Sequence, residues 1–212
     1  MKYLMILLAL MLTGVGACSD KGADGAKETA ATAAGTWDED QQVEACRAAV
    51  QKLGGALKSA LVKAMGEGGV EGALHVCHDE AQHIADRICD EEGLTVGRTS
   101  LKVRNQANGP DAWEQAGLAA FADRIAAGEK IKDLEMWATV TAPEGARTLR
   151  YLKAIPTAPL CLNCHGADLS DDVAAKLADL YPDDQARGFA LGDLRGAFSV
   201  KLDLPTPPAD DS

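Results

Sequence analysis

Cys161-Leu-Asn-Cys164-His165 is the segment whose residue types and spacing carry the clearest chemistry. Two thiols separated by two residues can add to the two vinyl groups of one haem, and the adjacent histidine then lies where its imidazole can ligate the iron. The motif occurs once, which provides for one covalently attached haem c. A zinc knuckle would need further ligands at close spacing, and none follows His165. A thioredoxin-like thiol pair would open a helix directly after a strand, whereas Pro156 and Pro159 precede this one.

The other side of the iron has several candidate ligands: His75, His78, His83, Met65, Met136 and the remaining cysteines. At helical spacing, Cys77 falls within an apolar stripe made with Leu74, Ala81, Ile84 and Ile88. His78 lies at the edge of that stripe, and His75 and His83 lie outside it. A buried cysteine can also serve simply as a small hydrophobe.

The elements that must position these groups can be read from periodicity. Val43, Cys46, Val50, Leu53, Leu57, Leu61 and Ala64 share one face of a helix that ends at Gly66, Gly68 and Gly69. A second helix carries the Cys77 stripe and closes at Gly93, so the two stripes are expected to face each other as an antiparallel hairpin. Leu94 to Asn105 then alternates, with Thr99, Leu101 and Val103 on one face and Arg98, Ser100, Lys102 and Arg104 on the other, as in a strand. A helix follows Asn108-Gly-Pro-Asp111, with Pro110 in its first turn and Leu118, Phe121 and Ile125 on its apolar side.

Met136–Thr141 and Thr148–Ile155 read as a hairpin turning through Pro143-Glu-Gly-Ala. Ser170 can cap a short helix containing Val173, Leu177 and Leu180, and 196–202 is a last strand. Helices followed by strands with inserted helices indicate an α+β domain built on an antiparallel sheet.

The chain has 212 residues and a formal charge of −11, with 47% hydrophobic and only 4% aromatic side chains. That excess of acid argues against nucleic-acid binding, which needs clustered Lys and Arg. Residues 1–17 have one early cation and a short apolar run, the pattern of a secretory signal. Val15-Gly16-Ala17-Cys18 resembles a bacterial lipobox, which implies that Cys18 is lipidated and tethers the protein to a membrane facing the periplasm. Residues 18–36 lack large apolar side chains and read as a flexible tether, and 205–212 as a disordered tail, leaving 37–204 as the folded domain. Export also favours a disulfide between Cys46 and Cys89, which lie on or near the facing sides of the first two helices.

Val76-Cys77, Arg98–Asn105, Asn108-Gly-Pro-Asp111, Tyr151–Pro156 before the Cys161–His165 motif, and Tyr181-Pro-Asp-Asp with Gly188–Val200 occur in a recognisable order. Over residues 40–202 the chain resembles the bacterial haem-c-binding, PAS-like domain family found in exported proteins and in the sensor regions of some histidine kinases. The resemblance implies a PAS-like antiparallel sheet with an N-terminal helical hairpin and inserted helices. It further implies iron ligation by His165 and, at the matching Val-Cys position, by Cys77. Arg98, Lys102 and Arg104 are candidate partners for the haem propionates, a solvated outer face being the alternative. Trp113, Phe121 and Tyr151 are expected to pack the core or the haem pocket.

These readings converge on a redox-responsive or electron-transfer module that works with a redox or signalling partner protein. The alternative is a sensor in which NO or CO displaces Cys77. A haem peroxidase would need an open iron position and a distal acid–base pair, for which His78 is the nearby candidate, so no enzymatic activity is expected.

Overall fold

The computed structural model describes residues 38–205. The expected signal segment, Cys18 and the tether lie outside the described residues, as does the tail beyond Pro205. No helix among the described residues is long and apolar enough to cross a membrane.

Helix α1 (Glu39–His75) starts where the Asp38 carboxylate accepts the Gln41 N–H at 2.8 Å, with Glu39 and Asp40 in the first turn, the favourable end of the helix dipole. Its backbone leaves helical geometry at Gly68 and Gly69, and the φ of +60° at Gly69 is a conformation glycine adopts without penalty. The chain reverses there, so the expected hairpin forms. Its returning arm is not one uniform helix, because Val76–Glu80 is a single π-helical turn placed before α2 (Ala81–Glu92).

Strand β1 (Thr95–Thr99) is much shorter than the alternating run from Leu94 to Asn105 predicts. Residues beyond Thr99 leave the sheet, because β4 offers β1 partners only from Lys201 down to Ala197. Helix α3 (Ala112–Ala126) opens with a reciprocal cap: Asp111 accepts the Glu114 N–H at 2.9 Å and Glu114 accepts the Asp111 N–H at 3.0 Å. Pro110 therefore sits before the cap rather than in the first turn. Strands β2 (Glu135–Thr141) and β3 (Arg147–Pro156) form the expected hairpin. Helix α4 (Leu162–His165) is one turn, and α5 (Asp171–Leu180) follows Ser170, whose side chain makes no capping bond. Strand β4 (Leu194–Leu204) completes a four-stranded sheet of order β1-β4-β3-β2, antiparallel throughout. The architecture is α+β, as the order of the sequence patterns predicts.

The two faces of the sheet are both covered. Val96, Leu149, Tyr151 and Val200 face the hairpin and pack on Val43, Cys46, Leu53, Ile84 and Ile88. Leu152, Ala154 and Ala197 face α3 and pack on Leu118 and Phe121. Alternation along β3 produces this split: residues 149 and 151 point one way, 152 and 154 the other. Gly117 lets α3 approach closely, since a Cβ there would run into Leu152 and the Met136 sulfur. Of the three aromatics expected in the core or pocket, Phe121 and Tyr151 are fully buried and Trp113 packs at the edge of the α3 core.

The expected Cys46–Cys89 disulfide does not form. Cys46 is a free thiol, 0% exposed within the hairpin core, while the Cys89 sulfur accepts the Val96 N–H at 3.3 Å. Apolar packing holds the Cys46 thiol, whereas Cys89 is disulfide-bonded, but not to Cys46.

Candidate functional site

The packed core does not run the whole length of the hairpin. Toward the turn, where α1 presents small and aliphatic residues such as Gly54, Leu57 and Leu61, hairpin and sheet separate around a cavity of about 440 Å³. That size lies within the roughly 300–1,000 Å³ typical of cofactor and ligand sites. Its walls are mainly apolar. Cys77, Cys161, Cys164 and His165 all line it, so residues from the hairpin and from the segment after β3 meet in one place.

The Cys-x-x-Cys-His segment is held from beneath by a strap of chain. The N–H of Gln185 donates to the Val103 carbonyl at 2.8 Å, that of Gly188 to Gly166 at 3.1 Å, and that of Phe189 to His165 at 2.9 Å. His165 Nδ1 donates to the Ala186 carbonyl at 2.7 Å, which leaves Nε2 as the lone-pair nitrogen. Burial first, then the nearby Arg195 and Arg104, push the His165 pKa down to about 3. The imidazole is therefore neutral, the form that ligates a metal.

Cys77 lies on the π-helical turn. A π-turn adds one residue to a helical register and rotates the side chains on it, a device found often at functional sites. Burial pushes the Cys77 thiol up, while Arg98, Arg104 and Arg195 pull it down. Of the alternative ligands, Met65 and His78 also line the cavity. His75 and His83 do not, and Met136 belongs to the α3 core. His78 and His75 are both tied to Asp79, at 2.5 Å and 3.2 Å, on the exposed side of the turn.

The three expected propionate partners have different fates. Arg98 lines the cavity on the same face of β1 as Val96, beneath the hairpin and not on an outer polar face. Arg104 reaches the cavity, but its guanidinium donates to the Cys164 carbonyl at 2.5 Å, to Ala186 at 3.3 Å and to the Asp184 carboxylate at 3.2 Å. It clamps the motif to the strap. Lys102 does not line the cavity; its ammonium lies 5.0 Å above the Phe189 ring, outside β1 where the chain has left the sheet. The alternating pattern misplaced Arg104 and Lys102 because β1 ends at Thr99.

Sequence reasoning missed Arg195, which also lines the cavity. Opposite the end of β3, Ile155 pairs with Gly196 and Pro156 with Leu194, so Arg195 is the extra residue of a β-bulge. A bulge re-aims a side chain. Gly196 beside it, with a φ of +153°, lies so close to the Thr99 carbonyl that a Cβ could not fit. A glycine inside an otherwise regular strand was the available signal.

The donor set suits a haem: a neutral imidazole nitrogen, a soft thiol, two further thiols at vinyl spacing and apolar walls, with no carboxylate among the lining residues. No curated protein matches the chain. Among solved structures, it is similar to one described as the crystal structure of the cyanobacterial heme-protein Tll0287, with a TM-score of 0.56 and 22% identity, covering 80% of this chain and 99% of that one. This likeness is one of fold. The Tll0287-like family model matches residues 22–203, and the chain belongs to that family.

Proposed function

We propose that this protein is an exported haem protein that binds one haem c covalently through Cys161 and Cys164, with His165 and Cys77 as axial ligands, and that it works as a redox-responsive or electron-transfer module. The convergence of Cys77 with the Cys161–His165 motif on one cavity carries the reading. The heme-protein description of the similar solved structure supports the cofactor class. When bound, the group supplies one-electron chemistry.

The protein's residues would then divide the work. His165 presents Nε2 because Ala186 holds the other nitrogen. Cys77, if it held the iron as a thiolate, would favour the oxidised state and lower the potential. Leu57, Leu61 and Phe198 exclude water from one end of the cavity. With His165 and Cys77 both committed to holding the group, no open position for a substrate would remain, and we assign no enzymatic activity. The anchor at Cys18, the periplasmic location and delivery of electrons or a signal to a partner protein complete the proposal.

The test is expression together with a cytochrome c maturation system. One haem per chain, retained under denaturing conditions, is expected, with low-spin ferric spectra that change on Cys77→Ala. Loss of the haem on denaturation defeats covalent attachment, and identical spectra for Cys77→Ala defeat the ligand assignment. Rapid NO or CO binding by the wild-type protein would instead favour ligand sensing at the Cys77 side.

A further inference from the structure

The chain as a whole carries a formal charge of −11, yet among the described residues no aspartate or glutamate lines the cavity, while Lys58 and three arginines do. Arg104 is accounted for by Asp184 and two backbone carbonyls. Arg98 and Arg195 are not. Among the described residues the Arg98 side chain makes no hydrogen bond or ion pair, and the groups that act on its charge are Cys77 and Tyr181. Arg195 donates to the Ser100 hydroxyl at 3.2 Å and to the Lys102 carbonyl at 3.4 Å, and stands 5.0 Å above the Phe189 ring. All of these partners are uncharged.

Two half-buried guanidinium groups with no carboxylate among the described residues at ion-pair distance are unfavourable for a fold to keep. Burial lowers the pKa of both, and Arg195, which also feels Arg104 and Arg98, is pushed down to about 10. Both cations border the mainly apolar cavity, a setting that suits a ligand combining anionic groups with an apolar body. Guanidinium forks match carboxylates in geometry as well as charge.

We infer that Arg98 and Arg195 form a paired cation site for the two carboxylates of the bound porphyrin, with Arg104 and Lys102 taking no part in it. The inference rests on the haem reading of this cavity, and the experiment separates the two.

The test uses the full chain matured with covalently attached haem, as wild type and as Arg98→Gln, Arg195→Gln and Lys102→Gln. The arginine variants are expected to retain thioether-bound haem but to shift the propionate bending band in resonance Raman spectra. Their midpoint potentials are expected to fall, because a positive charge near the iron has been removed. Lys102→Gln is expected to change neither. Unshifted bands and potentials in both arginine variants, with haem attached, overturn the assignment, as does an equal shift in Lys102→Gln.

A second measurement does not depend on variants that fold. The full wild-type chain, purified without haem, is titrated with ferric haem and with haem dimethyl ester. The ester should bind at least about tenfold more weakly, since charge-assisted hydrogen bonds to both carboxylates are lost. Equal affinities overturn the arginine assignment and leave the haem reading standing; no binding of either form overturns both.

Discussion

His165 Nδ1 donates to the carbonyl of Ala186 at 2.7 Å, and the same carbonyl receives Arg104 at 3.3 Å. The orientation of the imidazole thus depends on a turn that Asp184 holds together. The Asp184 carboxylate, 1% exposed, accepts the Ala186 N–H at 2.9 Å and bonds to both Arg104 and Arg187. Asp184→Ala strands a buried arginine and should cost about 3–5 kcal/mol in denaturant unfolding. Burial raises the Asp184 pKa, but Arg187, Arg104 and the Ala186 N–H outweigh it and hold it below the ordinary carboxylate value. Its contribution is therefore fully present above that ordinary value and is lost as pH falls through the depressed one. The acid side of the stability profile should flatten in Asp184→Asn.

The ligand set makes a prediction about potential. Cys77→His replaces a thiolate by a neutral imidazole, a weaker donor, so the midpoint potential should rise while the iron stays low-spin. His78→Ala should leave the ferric spectrum unchanged, because Asp79 holds that ring at the exposed side of the turn. Potentiometric titration with visible spectroscopy checks both, and an altered ferric spectrum in His78→Ala would transfer the ligand role to His78.

Gly196 makes room for the Thr99 carbonyl and has a φ of +153°. Gly196→Ala should destabilise the fold by about 1–3 kcal/mol through overpacking. It should also lower haem retention during maturation, since it pushes apart the strand ends carrying Arg98 and Arg195. Unfolding midpoints and haem content per chain measure the two effects separately.

Cys46 should resist maleimide in the folded protein and react on unfolding, with peptide mapping by mass spectrometry as the readout. Burial pushes this thiol up to about 11 from an ordinary 9.0. Because the folded value is the higher one, its contribution is complete below the unfolded pKa and is lost as pH climbs through the folded value, to an extent on the order of 2 kcal/mol. Cys46→Ala should remove that part of the alkaline slope. Rapid labelling of Cys46 under native conditions would contradict the buried free thiol.

Regular elements were legible in the sequence where a single period held. The arms of the hairpin, the β2–β3 turn and α5 follow from apolar spacing and from glycine or proline at their ends. The site was legible as far as its chemistry is local: Cys161, Cys164 and His165 stand together in the chain. What escaped were side chains governed by irregularity. Arg195 depends on a bulge, and Arg104 and Lys102 on the early end of β1. Such deviations from period are set by tertiary contacts, and an alternating pattern carries no mark of where a partner strand stops.

Strand β4 comes last among the described elements, yet it lies between β1 and β3. Until it inserts, β1 has no neighbour and the cavity lacks Arg195, Gly196 and Phe198. Pairing of this kind closes long loops before any of its bonds form, so it is slow relative to local helix formation. Sheet completion and pocket assembly therefore coincide in one late step. A chain arrested before that step would present its Cys-x-x-Cys-His segment on an open surface, and insertion of the central strand would then enclose whatever had been attached there.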